Sequence, residues 1–252
     1  MIKELKFRTE KFLGLKAVVL TMPETVSLVE DKLESGTDAF TIASINPEIC
    51  VASNDDPALK EALSAFAIGI PDGVGIVIAS RLQGGNIRER VTGIDLMLEI
   101  CKMSAKREFA VFLLGASPGV AEAAWEKLAE KFPGLVIAGT HHGYFKENEE
   151  EGIAEIIKKS NADIVFVGLG SPRQELFIHK WGQATGAKVL MAVGGSFDVI
   201  SGNLTRAPEI WQRLNVEWLY RALKQPKRAM RLLKLPLFLG LVMWERLAGK
   251  RG

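Results

Sequence analysis

Short apolar runs alternate with amphipathic stretches along most of the chain. "KAVVLT" (16–21), "AFTIAS" (39–44), "AIGI" (67–70), "FAVFLLG" (109–115), "LVIAGT" (135–140), "DIVFVG" (163–168) and "KVLMAVG" (188–194) read as strands. Most are apolar at successive positions, the pattern of strands buried on both faces. Between them apolar residues recur at helical spacing. Helices are predicted over Pro23–Glu34, from Pro47, from Pro57 and over Gly75–Leu82. Further ones run from a Thr92 cap through Met103, from Ser117-Pro118 to Lys131, over Glu149–Lys159 and from Ser171. Such an alternation predicts an α/β protein with a Rossmann-like, doubly wound, mainly parallel sheet. Ligands of that architecture sit beyond the carboxyl ends of the strands.

The strand exits carry the candidate chemistry. In "VFVGLGSPRQE" (165–175), Ser171 has the place of an N-cap, Pro172 of the first helical residue and Gln174 of the returning arm of a capping box. That is a sufficient reason for the motif. A second is that Gly168 and Gly170 admit an anion close to the backbone at a helix N-terminus. The dinucleotide fingerprint needs a third glycine where Arg173 stands, and no GxxxxGK[ST] occurs, so a phosphate other than that of NAD or ATP is indicated. Asp72, in "GIPDGVGI", is either a plain turn residue or a carboxylate at the mouth of a buried sheet, suited to general-base work. Ser44 and Asn46 in "IASINPEI" offer short polar groups at the same rim, although Asn46-Pro47 also simply opens a helix. Arg88 and Arg90 suit a phosphate or carboxylate, or surface ion pairs. Tyr144, in "HHGYFKEN", either stacks on a base or packs against the sheet edge. Asp198, in "AVGGSFDVISG", reaches a ribose or base edge, or lies in a turn.

Composition adds one asymmetry. The chain is 48% hydrophobic and 25% charged, with a formal net charge of +2. Residues 206–252 hold 11 Lys/Arg against 3 Asp/Glu, a net of +8, which leaves residues 1–205 at −6. A catalytic α/β domain over 1–205 and a basic, helical, membrane-associating appendage over 206–252 are therefore expected. No acidic residue stands between Glu217 and Glu245, and the basic run ends in "LPLFLGLVMW" (235–244). That run is broken by Pro236 and Gly240 and is shorter than the ~20 residues a spanning helix needs. It fits a segment lying on an anionic leaflet, or a helical cap docked on the domain or on another subunit. The apolar faces of "IWQRLNVEWLY" suit pairing of subunits or packing of the tail on the body. Met1 to Lys11 is charged and lacks the apolar core of a signal peptide. Cys50 and Cys101 read as buried free thiols of a reducing compartment, and no Cys/His grouping has the spacing of a zinc site.

The ordered set "NPE", "PDGVGIV", "ERVTGIDL", "GLGSPRQE", "GGSFDVISG" and "RAPEIWQRLNVEWLYR" resembles the WecG/TagA/CpsF family of bacterial glycosyltransferases, over nearly the whole chain. Each piece alone is weak; their order is specific. The resemblance implies transfer of an N-acetylhexosamine, or its uronate, from a UDP donor to a polyprenyl-diphosphate-linked sugar. In the best-studied branch the donor is UDP-N-acetylmannosamine and the acceptor undecaprenyl-diphosphate-GlcNAc, for the linkage unit of wall teichoic acid. It implies Asp72 as the general base of an inverting displacement, with Ser44 (where the family often has threonine), Asn46, Arg90 and Gln174 lining the pocket. It also places Tyr144 and Asp198 near uracil and ribose, and brings Arg221, Arg228 and Arg231 over the diphosphate. No Asp-x-Asp metal motif occurs, so metal-independent transfer without a cofactor is expected, at the cytoplasmic leaflet. A Rossmann oxidoreductase lacks its fingerprint here; an adaptor binding nucleic acid or membrane through the tail is the remaining rival, and no nucleic-acid partner is expected.

Overall fold

The computed structural model of the protein describes residues 8–35, 38–208, 210–211 and 234–249. Its centre is a six-stranded parallel sheet: β3 (Phe40–Ile45), β4 (Ile68–Pro71), β5 (Ala110–Gly115), β6 (Val136–His141), β7 (Ile164–Gly168) and β8 (Val189–Ala192). Their spatial order is β4-β3-β8-β7-β5-β6. The strands alternate sides as the pleat requires. Ile42, Ile70, Val111, Leu113, Phe166 and Met191 face one core, with α1 (Met22–Ser35), α5 (Gly93–Arg107) and α6 (Val120–Lys131) packed on it. Phe112, Leu114, Val165, Val167 and Leu190 face the other, under α7 (Glu150–Lys159) and α8 (Arg173–Trp181). The doubly wound sandwich expected from the apolar pattern is present.

Local chemistry sets several helix starts. Thr21 and Glu24 form a capping box, the Thr21 amide donating to Glu24 Oε2 at 2.7 Å. Asn46 Oδ1 accepts the Ile49 amide at 2.9 Å and Asp56 Oδ1 that of Leu59 at 3.0 Å, each followed by Pro at the first position of α2 (Pro47–Asp55) and α3 (Pro57–Ala65). Thr92 caps α5 as its sequence predicts, accepting the Asp95 amide at 3.3 Å.

Two expectations change. "KAVVLT" does not join the parallel sheet: β2 (Leu15–Val18) pairs antiparallel with β1 (Thr9–Phe12) in a separate two-stranded ribbon. In β2 only Lys16 faces out, and Leu15, Ala17 and Val18 are buried, so its apolar pattern is that of a central strand although it is not one. The run 235–244 is not broken. A continuous C-terminal helix spans Lys234–Leu247, because Pro236 falls in its first turn, where its missing amide has no helical partner to lose. This helix docks on α2 and α4 (Val74–Gln83), burying Phe238 and Val242 completely against a cluster that includes Phe12. Burying a Phe side chain contributes roughly 1.5–3 kcal/mol. Its other face leaves Leu237, Trp244 and Leu247 51%, 71% and 78% exposed. Among the described residues no helix is long and apolar enough to cross a membrane. Where the basic segment begins, Arg206 Nη2 donates to Asp95 Oδ1 and Oδ2 at 2.7 and 2.9 Å, tying it to the first turn of α5.

Candidate active site

Neighbouring strands β5 and β7 send their chains in opposite directions, β5 out to the edge strand β6 and β7 inward to β8. Their helices α6 and α8 lie on opposite faces, which opens a crevice at their carboxyl ends, the place where such sheets bind ligands. The two similar sequences "LLGASPG" and "VGLGSPRQ" are its two walls. Gly115 and Gly168 face one another in register, and a Cβ at Gly115 would stand 2.3 Å from the Gly168 carbonyl oxygen. Gly168 itself is packed against Gly194 and the Phe197 ring, so its lack of side chain first serves the sheet. Gly170, at φ +78°, has open space where a side chain would stand.

The crevice widens into a cleft of about 780 Å³, whose lining includes Ser117, Tyr144, Lys146, Gly168, Arg173 and Asp198. Tyr144 does not pack against the sheet edge; it is 72% exposed, its phenol oxygen accepting from the Ser117 hydroxyl at 3.4 Å. Asp198 lies in the short helix α9 (Ser196–Ile200) after β8, on the opposite side. An aromatic ring and a carboxylate across an open cleft suit a base and its sugar hydroxyls. Helices α4, α6 and α8 begin without a side-chain cap bond, leaving their first amides toward this rim.

Along the same rim, beyond β8, lies a second group. Asp72 follows β4, and its Oδ2 accepts the Gly93 amide at 3.2 Å. A Cβ at Gly93 would stand 3.0 Å from Ser44 Oγ and 3.7 Å from Asp72 Oδ2, so the hydroxyl and the carboxylate converge on the start of α5. Adjacent strands are ~4.8 Å apart, so the end of β3, which carries Ser44, lies about 10 Å from that of β7. Asn46, predicted in this group, spends its Oδ1 on capping α2. Arg90 is partly buried in the loop before α5, and Arg88 is exposed.

Gln174 ties the start of α8 to the exit of β8, in a way the sequence does not announce. Helix α8 begins at Arg173 with Pro172 as N-cap and no side-chain cap bond, so Gln174 makes no capping box with Ser171. Its side chain is buried instead: Oε1 accepts the Gly194 amide at 3.0 Å and Nε2 donates to Glu175 Oε1 at 2.8 Å. Glu175, unremarked in the sequence, is 1% exposed, and burial pushes its carboxyl above the usual range against hydrogen bonds from Gln174 and Ser171. An acidic residue in the first turn of a helix is ordinarily a solvated partner of the helix dipole, so its place in the sequence gives no sign of this burial. Arg221, Arg228 and Arg231 lie outside the described residues, as does the "IWQRLNVEWLY" stretch after Trp211.

A Rossmann-like sheet with an open cleft lined by Tyr144 and Asp198, beside the Asp72 carboxylate, is an arrangement that suits a nucleotide-sugar. The sequence pattern of the glycosyl transferase WecG/TagA/CpsF family matches residues 10–252, and the chain belongs to that family. It is 38% identical over 219 residues to the N-acetylglucosaminyldiphosphoundecaprenol N-acetyl-beta-D-mannosaminyltransferase of Bacillus spizizenii, covering 86% of this chain and 84% of that one. Proteins of the same name from Bacillus subtilis and Staphylococcus aureus are 37% and 38% identical, each covering 81% of this chain and 79% of theirs.

Proposed function

We propose that the protein transfers N-acetylmannosamine from UDP-N-acetylmannosamine to undecaprenyl-diphosphate-linked N-acetylglucosamine, in the synthesis of a teichoic acid linkage unit. The observation that carries this reading is the rim itself. A cleft with Tyr144 and Asp198 suits the uridine, and Asp72 stands beside Ser44 at the end of the same row of strands. The names of the relatives from two Bacillus species and Staphylococcus aureus supply the sugar and the acceptor class.

In this reading UDP lies across the switch-point crevice, uracil toward Tyr144 and ribose toward Asp198. The diphosphate lies near Gly170 and the uncapped start of α8. Asp72, oriented by the Gly93 amide, takes the proton of the acceptor hydroxyl as that oxygen attacks the anomeric carbon. The bond from the anomeric carbon to the UDP oxygen breaks on the opposite face. Its electron pair leaves with UDP, and the product is inverted. The developing diphosphate charge is met by Arg90, helix N-termini and the tail arginines Arg221, Arg228 and Arg231, without a metal ion. The exposed Leu237, Trp244 and Leu247 face supports peripheral attachment to the leaflet that holds the acceptor lipid.

The test is UDP release from a panel of UDP-sugars with a synthetic polyprenyl-diphosphate-GlcNAc, with and without a chelator. The reading expects N-acetylmannosamine to be preferred and the rate to persist in the chelator. Turnover of a different donor, or a rate that collapses in the chelator and returns with a divalent ion, would contradict it.

A further inference from the structure

Arg173 occupies the position where a dinucleotide-binding turn would have its third glycine, and its contacts show what the side chain does there. Its Nη1 donates to the Gly143 carbonyl and its Nη2 to the Phe145 carbonyl, each at 2.6 Å. These are the two carbonyls on either side of Tyr144. The guanidinium also lies over the Phe145 ring, 4.3 Å from its centroid, and Phe145 in turn meets Phe177 of α8 edge-on at 6.3 Å. No carboxylate among the described residues forms an ion pair with Arg173. Its planar fork is thus committed to backbone, with two parallel charge-assisted bonds of the kind that fix geometry as well as add energy.

Tyr144 has no comparable anchor of its own. It is 72% exposed, and among the described residues it makes a 3.4 Å contact to Ser117 and a 3.2 Å bond from its amide to His142 Nδ1. A ring that must meet a flat base in one orientation needs its backbone held, and the flanking carbonyls are the groups Arg173 holds. We infer that Arg173 is a positioning residue for nucleotide recognition: it seats the loop 143–145 so that Tyr144 is presented to the base, tying the base platform to the α8 helix start under the diphosphate. This rests on the uridine placement proposed above. Lysine cannot replace the fork, because a single ammonium does not span two carbonyls in one plane.

The experiment is a double-mutant cycle on UDP binding, measured by calorimetry for the wild type, Arg173→Lys, Tyr144→Ala and the double variant. Base–aromatic stacking predicts that Tyr144→Ala weakens UDP by roughly tenfold. Arg173→Lys is expected to weaken it about five- to tenfold in the wild-type background and less than twofold when Tyr144 is already alanine. Additive losses would overturn the positioning role while leaving the uridine placement intact. Unchanged UDP affinity in Tyr144→Ala would overturn both. Should Arg173→Lys fail to fold, Arg173→Gln keeps one donor, and amide exchange read on the 143–146 segment replaces the cycle. Faster exchange there, with α8 unchanged, supports the role, and an unchanged segment refutes it.

Discussion

Replacing Gln174 by leucine asks whether that side chain is a strut or a ligand contact. The structure commits both ends of the amide internally, to the Gly194 N–H and to the Glu175 carboxyl. Leucine keeps the volume and removes both bonds. A hydrogen bond to a charged or ionisable group is worth about 1.5–3 kcal/mol, and a buried donor left without a partner costs about 1–3 kcal/mol. Gly194 is only partly buried, so water recovers some of its loss. A net destabilisation of about 2–4 kcal/mol follows, which for a chain of this size lowers Tm by roughly 5–15 °C. Scanning calorimetry and urea titration of Gln174→Leu measure it, with an unchanged urea slope as the check that the unfolded state is the same. A Tm within 1 °C of wild type, together with a large loss of UDP-sugar affinity, would refute the reasoning and return Gln174 to the ligand.

Glu175 makes stability depend on pH. Burial raises its carboxyl in the folded state, so its contribution is complete below the unfolded value of about 4.3 and is lost as pH rises through the folded one. Relative to Glu175→Gln, the wild type should therefore lose stability between pH 4 and pH 8 in urea titrations; parallel curves would contradict this. Burial pushes the Cys101 thiol up to about 12, and Cys50 higher still, with burial the main cause and Glu245 adding to it. Both thiols are therefore held in the unreactive protonated form and out of solvent, so intact-mass measurement at pH 8 should find native protein unmodified by iodoacetamide and unfolded protein alkylated twice. Stoichiometric labelling of the native protein would be the contrary result. Substituting Leu237, Trp244 and Leu247 together by serine removes mostly exposed apolar surface, so binding to anionic vesicles should weaken at least tenfold while Tm falls by only a few degrees. Equal vesicle binding would contradict attachment through this face.

Much of the fold was legible because the parallel strands are buried on both faces and the caps are local. Thr92, Asn46 and Asp56 each accept an amide three residues on. The place of β2 is not legible because local pattern cannot distinguish a strand paired within the sheet from one packed beside its edge strand β4 and against α3. At the site, glycine turns and lone polar residues at strand ends pointed to the rim, since residues there follow the strands directly. What stayed hidden depends on long-range partners. Gln174 looked like the arm of a capping box and is tied to Gly194, 20 residues away. Arg173 looked like a missing glycine and holds carbonyls 28 and 30 residues back. Neither bond has a signature in spacing.

The role proposed for Asp72 is that of the base in a glycosyl transfer at this rim. The direct measurement compares wild type and Asp72→Asn for formation of the N-acetylmannosaminyl-GlcNAc lipid from UDP-N-acetylmannosamine, alongside UDP affinity. The expected loss in kcat is about 10²–10⁴, the range general-base catalysis supplies, with UDP Kd within twofold of wild type. Wild-type turnover by Asp72→Asn would contradict it.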